Sequence, residues 1–350
     1  MAPPADALAE ARPDGPDSMG SEIAQGPDAV AGTLAAIETL RPRISTLQAD
    51  ARRIVLVGTG ASLATIRIAA PIWRRAGAGG AEIAVRQSTE AALGDLDGLR
   101  IEAGDLVIAI SQSGSSPETL AAARLARAAG AAVLALTAHP DSPLASTATL
   151  SVELASGRES GAATKSALAS LAALLAIAGS LRSALPSAGP LRERLAEIVA
   201  DWQGAVEPGQ RFAGGRHVWM LGFGAAEGLA EAGMLLWHEK VVRPATAATP
   251  SEFRHGLIEA VGRDDVVVLF VFDGDEGQAR YLDRLRGEMQ VLNVPLVELR
   301  SGATDVAGAT LELLVRIQQL ARAAALATGT YREEFAILRQ VVKPADDLLA

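Results

Sequence analysis

The chain of 350 residues contains no cysteine. Disulfide bonds, thiolate metal sites and a cysteine nucleophile are thereby excluded together, and a reducing cytoplasm fits. Aromatic residues make up only 3% of the chain, against 49% hydrophobic residues, among which Ala, Leu and Val are prominent. Small aliphatic side chains of this kind suit helices packed on buried parallel strands. Positive charge is not in excess either. The formal net charge is -9 and no basic stripe is present, so nucleic acid is not expected as a partner. Long apolar runs are absent too. The most apolar stretch, 167–179, falls short of the roughly 20 residues that a bilayer requires, so no membrane span is expected. The N-terminus has early acids and prolines and no apolar core, so no secretory signal is expected and the expected location is cytoplasmic.

What is present is a strand that breaks into a hydroxyl-rich loop and then a helix. Asp105–Ile110 reads as a buried strand, Ser111-Gln112-Ser113-Gly114-Ser115-Ser116 as a loop, and Pro117 onward as a helix start. The first turn of a helix has N–H groups without partners and a positive dipole end, so such a junction suits an anion. Ser116 fits the N-cap, Pro117 fits the first helical position, and Gly114 lets the loop approach closely. Ser111, Ser113 and Ser116 would direct hydroxyls at one phosphate. The alternative is an ordinary strand-to-helix turn rich in Ser and Gly.

Elsewhere the pattern alternates strand and helix. Residues 1–20 read as a disordered tail, and a helix follows from Pro27 to Leu47. Strands are expected at Arg53–Val57, Glu82–Val85, Asp105–Ile110, Ala131–Thr137 and Leu150–Leu154, with a long helix from Thr164. Gly58-Thr59-Gly60-Ala61-Ser62 forms a second glycine junction. It lacks the third glycine of a dinucleotide fingerprint, where Leu63 stands, which disfavours a nicotinamide site. The whole argues for a parallel, doubly wound α/β sheet. A repeat follows: Val218–Ala226 mirrors Ile54–Ser62, and Asp264–Gly274 mirrors Asp105–Gly114, with offsets of 164 (Gly60 to Gly224) and 160 (Gly114 to Gly274) residues. Two copies of one domain are therefore expected, at 21–188 and 189–350. The second loop carries Asp273 and Asp275, which would repel a phosphate, so the anion belongs to the first copy.

With S-Q-S-G-S-S in the first copy, Ala163-Thr164-Lys165 before the long helix, and Glu252-Phe253-Arg254-His255-Gly256 in the second, the chain resembles the double SIS (sugar isomerase) family. That family includes the isomerase half of glucosamine-6-phosphate synthase and free-standing sugar-phosphate deaminases, isomerases and deglycases. The resemblance spans about residues 20–345 and implies two tandem SIS domains. It also implies that Ser111, Gln112, Ser113 and Ser116 hold the phosphate of a hexose 6-phosphate derivative, with Gly60, Ser62, Ala163 and Glu252 as further substrate contacts. Glu239 falls on the family's base, which moves a proton between C1 and C2. His255 falls on its ring-opening histidine, which reaches a neighbouring subunit, so a homodimer is implied. One carboxylate and one imidazole suit such chemistry, and neither metal nor cofactor is required. By position alone, Glu239 also reads as a solvated helix-end residue paired with Lys240, and His255 as a loop histidine. His238 is a weaker candidate beside Glu239, and Lys165 reads as a structural pairing residue.

The departures shape the expectation. The synthase's glutamine-hydrolysing domain and its cysteine are not found, so the expected reaction does not use glutamine. Leu236 stands where the family often has a lysine, Leu257 where a proline follows His-Gly, and no lysine follows Lys343-Pro344. The leading expectation is conversion of an amino sugar 6-phosphate to fructose 6-phosphate and ammonia. A fructosamine-6-phosphate deglycase, a plain aldose–ketose isomerase and a non-catalytic sugar-phosphate sensor are the alternatives.

Overall fold

The structure, a computed structural model, describes residues 17–94, 99–179, 187–272, 276–335 and 337–338. Residues 1–16, Asp273–Asp275 and the tail around Lys343-Pro344 lie outside them. The chain divides into two compact units. Of the described residues, the first comprises those within Gln25–Glu159 and Lys165–Arg192 and those from Glu334; the second comprises those up to Ala24 and those within Ser160–Thr164 and Glu193–Glu333.

In the first unit a five-stranded sheet runs in the order β2-β1-β3-β4-β5: Glu82–Gln87, Arg53–Gly58, Asp105–Ile110, Ala132–Thr137 and Leu150–Glu153. Every pairing is parallel, with Val55 opposite Val107 and Val107 opposite Val133. All six residues of β3 are buried, as expected for a strand covered on both faces. Val55, Val57, Val107, Ala109, Val133 and Ala135 form one core cluster with Ala122, Ala123 and Ala126 of α4 (Pro117–Ala128). The alanines let the helix lie close to the strands, so the layer closes without rings. Against another helix, α6 (Lys165–Gly179), packs α2 (Ala61–Ala76), whose buried Trp73 donates its indole N–H to the Leu174 carbonyl at 3.0 Å.

The remaining helices are α3 (Ser88–Ala92), α5 (Pro143–Thr147) and α1 (Ser18–Ala49), of which the residues from Gln25 belong to this unit. Helix α1 starts at Ser18, inside the stretch read as a tail and nine residues before Pro27. The expected start at Pro27 rests on apolar residues at helical spacing, from Val30 to Leu47. Tertiary contacts override it: Met19 and Ile23 are buried, and Asp17 pairs with Arg322 at 2.7 Å.

The second unit repeats the order with four strands, β7-β6-β8-β9: Ala245–Ala248, Val218–Leu221, Val266–Val271 and Leu296–Arg300, all parallel. Its helices are α7 (Ala188–Ala200, of which the residues from Glu193 belong to this unit), α8 (Gln203–Gln210), α9 (Ala225–Leu236), α10 (Pro250–Arg254), α11 (Glu276–Leu292) and α12 (Val306–Thr328). Its core holds Trp219 edge-on to Phe253, Trp237 edge-on to Phe212, and Trp202 beneath the buried Arg322 guanidinium at 4.4 Å. Among the described residues, no helix is long and apolar enough to cross a membrane.

The internal repeat extends to backbone angles. Gly60 precedes α2 with φ 55° and ψ -128°, and Gly224 precedes α9 with φ 59° and ψ -119°. A side chain there meets no steric obstacle, so glycine is required by the positive φ itself. A second match lies at the strand entrances. The Asp105 carboxylate accepts from the Glu102 N–H at 2.9 Å, and that of Asp265 from the Gly262 N–H at 2.9 Å. Asp265 also accepts the Trp219 indole N–H at 3.1 Å. Asp265→Ala would leave the buried Trp219 indole N–H without an acceptor and release the Gly262 N–H to water. We expect it to lower stability by about 2 kcal/mol, measured by equilibrium urea unfolding.

Candidate functional site

Strand β1 leads through α2 to β2 on one side, whereas β3 leads through α4 to β4 on the other. The strand order therefore reverses between β1 and β3, and a crevice opens at their carboxyl ends. Two loops flank it: Gly58–Ser62 and Ser111–Ser116. Gly60 and Ser62 are thereby brought to the same sheet edge as the serines.

The serine loop is built around Ser111, which is buried. Its Oγ lies 2.9 Å from that of Ser116 and 3.5 Å from that of Ser113, and it accepts the Gly114 N–H at 3.2 Å. Ser113 in turn accepts from the N–H and the hydroxyl of Ser115, at 3.3 and 3.1 Å. The three predicted hydroxyls thus converge. Ser116 occupies the N-cap of α4, with Pro117 behind it, but its hydroxyl makes no cap to the helix. The Ser116 side chain thus leaves that first turn uncapped at the positive end of a twelve-residue helix, where an acceptor would be favoured. Glu118 also stands in this turn and draws on the same dipole.

Two further features fix the loop. Gly114 has φ +63°, and a Cβ on it would collide with Ser142 and come within 2.8 Å of the Thr137 hydroxyl. Gln112, predicted as a phosphate ligand, has its side-chain amide donating to the Gly157 carbonyl at 2.9 Å, so it braces the loop from outside. Its own carbonyl accepts from the Ala138 N–H at 3.0 Å and the Thr137 hydroxyl at 3.2 Å. Lys165 opens α6 and donates to Gln25 at 2.7 Å, a structural pairing as read from the sequence.

Glu239, Glu252 and His255 belong to the second unit, and so does Ala163, two residues before α6. Helix α9 ends at Leu236 and continues as a π-helical turn, Trp237–Val241, closed by Val242 in the left-handed region (φ 54°, ψ 41°). A β-branched residue there is strained, and both π turns and such strain concentrate at functional positions. Glu239 lies on this turn, half-buried. Its expected surface partner Lys240 is instead buried, with its amine donating to the carbonyls of Arg332 at 2.8 Å and Glu333 at 3.2 Å. Burial pushes the Lys240 amine below the usual lysine range. His238 accepts the Ala245 N–H at 3.1 Å on Nε2 and so serves the turn into β7.

His255 closes α10 with its N–H bonded to Ser251 and Glu252 carbonyls, and its ring is exposed. Glu252 forms a capping box with Thr249. It accepts from the Thr249 N–H at 3.0 Å and its hydroxyl at 2.9 Å, while the Thr249 oxygen accepts the Glu252 N–H at 3.1 Å. Those bonds hold the Glu252 carboxyl below the usual carboxylate range. Thr249-Pro250-Ser251-Glu252 is the standard sequence signal for such a box, and it identifies a structural task for this glutamate. The π turn and the burial of Lys240 have no comparable signal.

Residues 48–180 match the SIS domain family. Over 72 residues the chain is 42% identical to an N-acetylmuramic acid 6-phosphate etherase of Streptomyces avermitilis, a match covering 21% of this chain and 23% of that protein. The chain spans about a quarter of the length of the curated relatives it matches. Among solved structures, the C-terminal domain of a glucosamine-fructose-6-phosphate aminotransferase from Francisella tularensis superposes with a TM-score of 0.77 at 22% identity, over 91% of this chain and 98% of that one. Tagatose-6-phosphate ketose/aldose isomerase from Escherichia coli gives 0.77 at 21% identity, over 94% and 95%. Glucosamine-6-phosphate deaminase from Thermotoga maritima gives 0.70 at 20% identity, over 91% and 97%. At such identities the likeness establishes the fold.

The serine loop carries a direct test. Wild-type protein should gain thermal stability in inorganic phosphate through binding to the folded state. Gly114→Ala forces a Cβ into Ser142 and should lose that gain, with phosphate affinity at least about tenfold lower by calorimetry.

Proposed function

From a SIS domain at 48–180 and the tandem SIS fold of the whole, we propose that this chain is an enzyme acting on a hexose 6-phosphate derivative. The observation that carries the reading is the convergence of Ser111, Ser113 and Ser116 on an uncapped helix start at the switch point of the sheet. A phosphate dianion is the ligand that such a donor array suits best. The proteins named above share a sugar 6-phosphate, whether the outcome is amine transfer, isomerisation, deamination or ether cleavage.

Glu239 is the proposed proton carrier, removing the C2 proton of an open-chain aldose and returning it at C1. With an amine on C2 the product is a ketose imine, which water hydrolyses to fructose 6-phosphate and ammonia. His255 is the proposed acid–base for ring opening, acting in a homodimer. Its exposed ring supports that role. Ser62 and Gly60 contact the sugar from the first glycine loop, and Gln112 acts by bracing the serine loop.

The match to the etherase favours one further substrate. Cleavage of an ether beta to a carbonyl also begins with removal of the proton between them, so the same base would serve. Turnover of a panel of sugar 6-phosphates, read as ammonia, ketose and released hydroxy acid, separates these outcomes; no turnover of any member refutes the reading. Glu239→Gln should bind the phosphosugar normally and lose at least about 1,000-fold in kcat. Ser113→Ala with Ser116→Ala should raise KM about thirtyfold for phosphorylated substrate and leave phosphate-free analogues unaffected.

A further inference from the structure

Lys240 is the one buried lysine of the second unit among the described residues, and three chain segments converge on it. The segment after α12 supplies the carbonyls of Arg332 and Glu333 and places the Tyr331 ring 5.0 Å from the amine. The loop before α6 approaches so closely that a Cβ on Gly161 would lie 2.6 Å from the Glu333 carbonyl and 2.8 Å from the Lys240 amine. The start of α1 is tied to both. Glu22 accepts the Ser160 N–H at 2.6 Å, the Ser18 N–H donates to Glu333 at 3.2 Å, and the Met19 N–H donates to the Tyr331 oxygen at 3.3 Å. Burial also pushes the Tyr331 hydroxyl up to about 12, so it remains a phenol across the working range of pH. The carboxylates that face the Lys240 amine are those of Glu333, Glu22, Glu239 and Asp17, and they favour its charged form against burial.

The residue next to this anchored amine is Glu239, and the turn that carries both ends in the strained Val242. A π turn with a left-handed β-branched residue at its end persists only where its surroundings over-determine it. The bonds from Lys240 to two backbone carbonyls supply that constraint. We propose that Lys240 is a positioning residue for Glu239: its amine clamps the π turn to residues 331–333 and so fixes the direction in which the neighbouring carboxylate is presented. This inference rests on the reading of Glu239 as the proton carrier.

Lys240→Met keeps the length of the side chain and removes the donor. A misplaced reacting group costs about 100-fold, so kcat should fall by that order while KM, set by the serine loop, stays within about threefold. The acid limb of the kcat profile should also move to higher pH, because a carboxylate that loses a neighbouring cation titrates higher. Tyr331→Leu removes the ring beneath the amine and leaves the amine in place. It should lower kcat with KM unchanged and the acid limb unmoved. Amide hydrogen exchange supplies a readout independent of turnover: protection at 237–242 and 331–333 should drop together in Lys240→Met. A kcat within twofold of wild type, a KM that rises as kcat falls, or unchanged exchange at both segments overturns the proposal. If wild-type protein turns over no sugar phosphate, the functional reading fails by itself, and the exchange comparison still decides whether the clamp exists.

Discussion

The first turn of α4 presents backbone N–H groups that its N-cap side chain does not cap, because Ser116 turns its hydroxyl to Ser111. In a purely structural element a half-buried helix end of this kind is ordinarily capped. Here the loop geometry leaves it uncapped. Gly114 at positive φ fits against Ser142, the Gln112 carbonyl is held by Thr137 and Ala138, and the Gln112 amide is anchored on Gly157. These bonds keep the hydroxyls aimed at one point before any anion arrives, so binding costs little reorganisation.

The two units show how one backbone plan can be put to different uses. Gly60 and Gly224 hold nearly the same φ and ψ, and Asp105 and Asp265 close the same four-residue turn before their strands. The differences lie in side chains. The first unit has serines after its central strand. In the second unit the helix after the first glycine junction ends in a π turn carrying Glu239 and the anchored Lys240. Conserving the junctions keeps the sheet order in both units and leaves their loops free to differ in chemistry.

Much of this was legible in the sequence, for stated reasons. Buried parallel strands such as Asp105–Ile110 and Val266–Val271 are continuous apolar runs, and runs of that kind stand out. Gly60 and the serine loop were legible because positive φ and helix starts restrict residue choice locally. What escaped depends on contacts far along the chain. The start of α1 at Ser18 rests on partners near residues 322 and 333, which no local periodicity contains. Lys240 reads as a surface residue beside a glutamate, because its acceptors lie more than ninety positions away. Glu252 is the opposite case: its capping box lies within Thr249-Pro250-Ser251-Glu252 and is locally readable.

The distribution of tryptophan has a spectroscopic corollary. Of the four indoles in the chain, only Trp73 lies in the first unit, while Trp202, Trp219 and Trp237 lie in the second, and all are buried. Intrinsic emission therefore weighs the two units unequally, three fluorophores to one. Far-ultraviolet dichroism, by contrast, samples helices from both. Recorded on one sample, the two signals act as separate gauges, and any lag between their denaturation midpoints reveals whether the halves melt as one body or in succession.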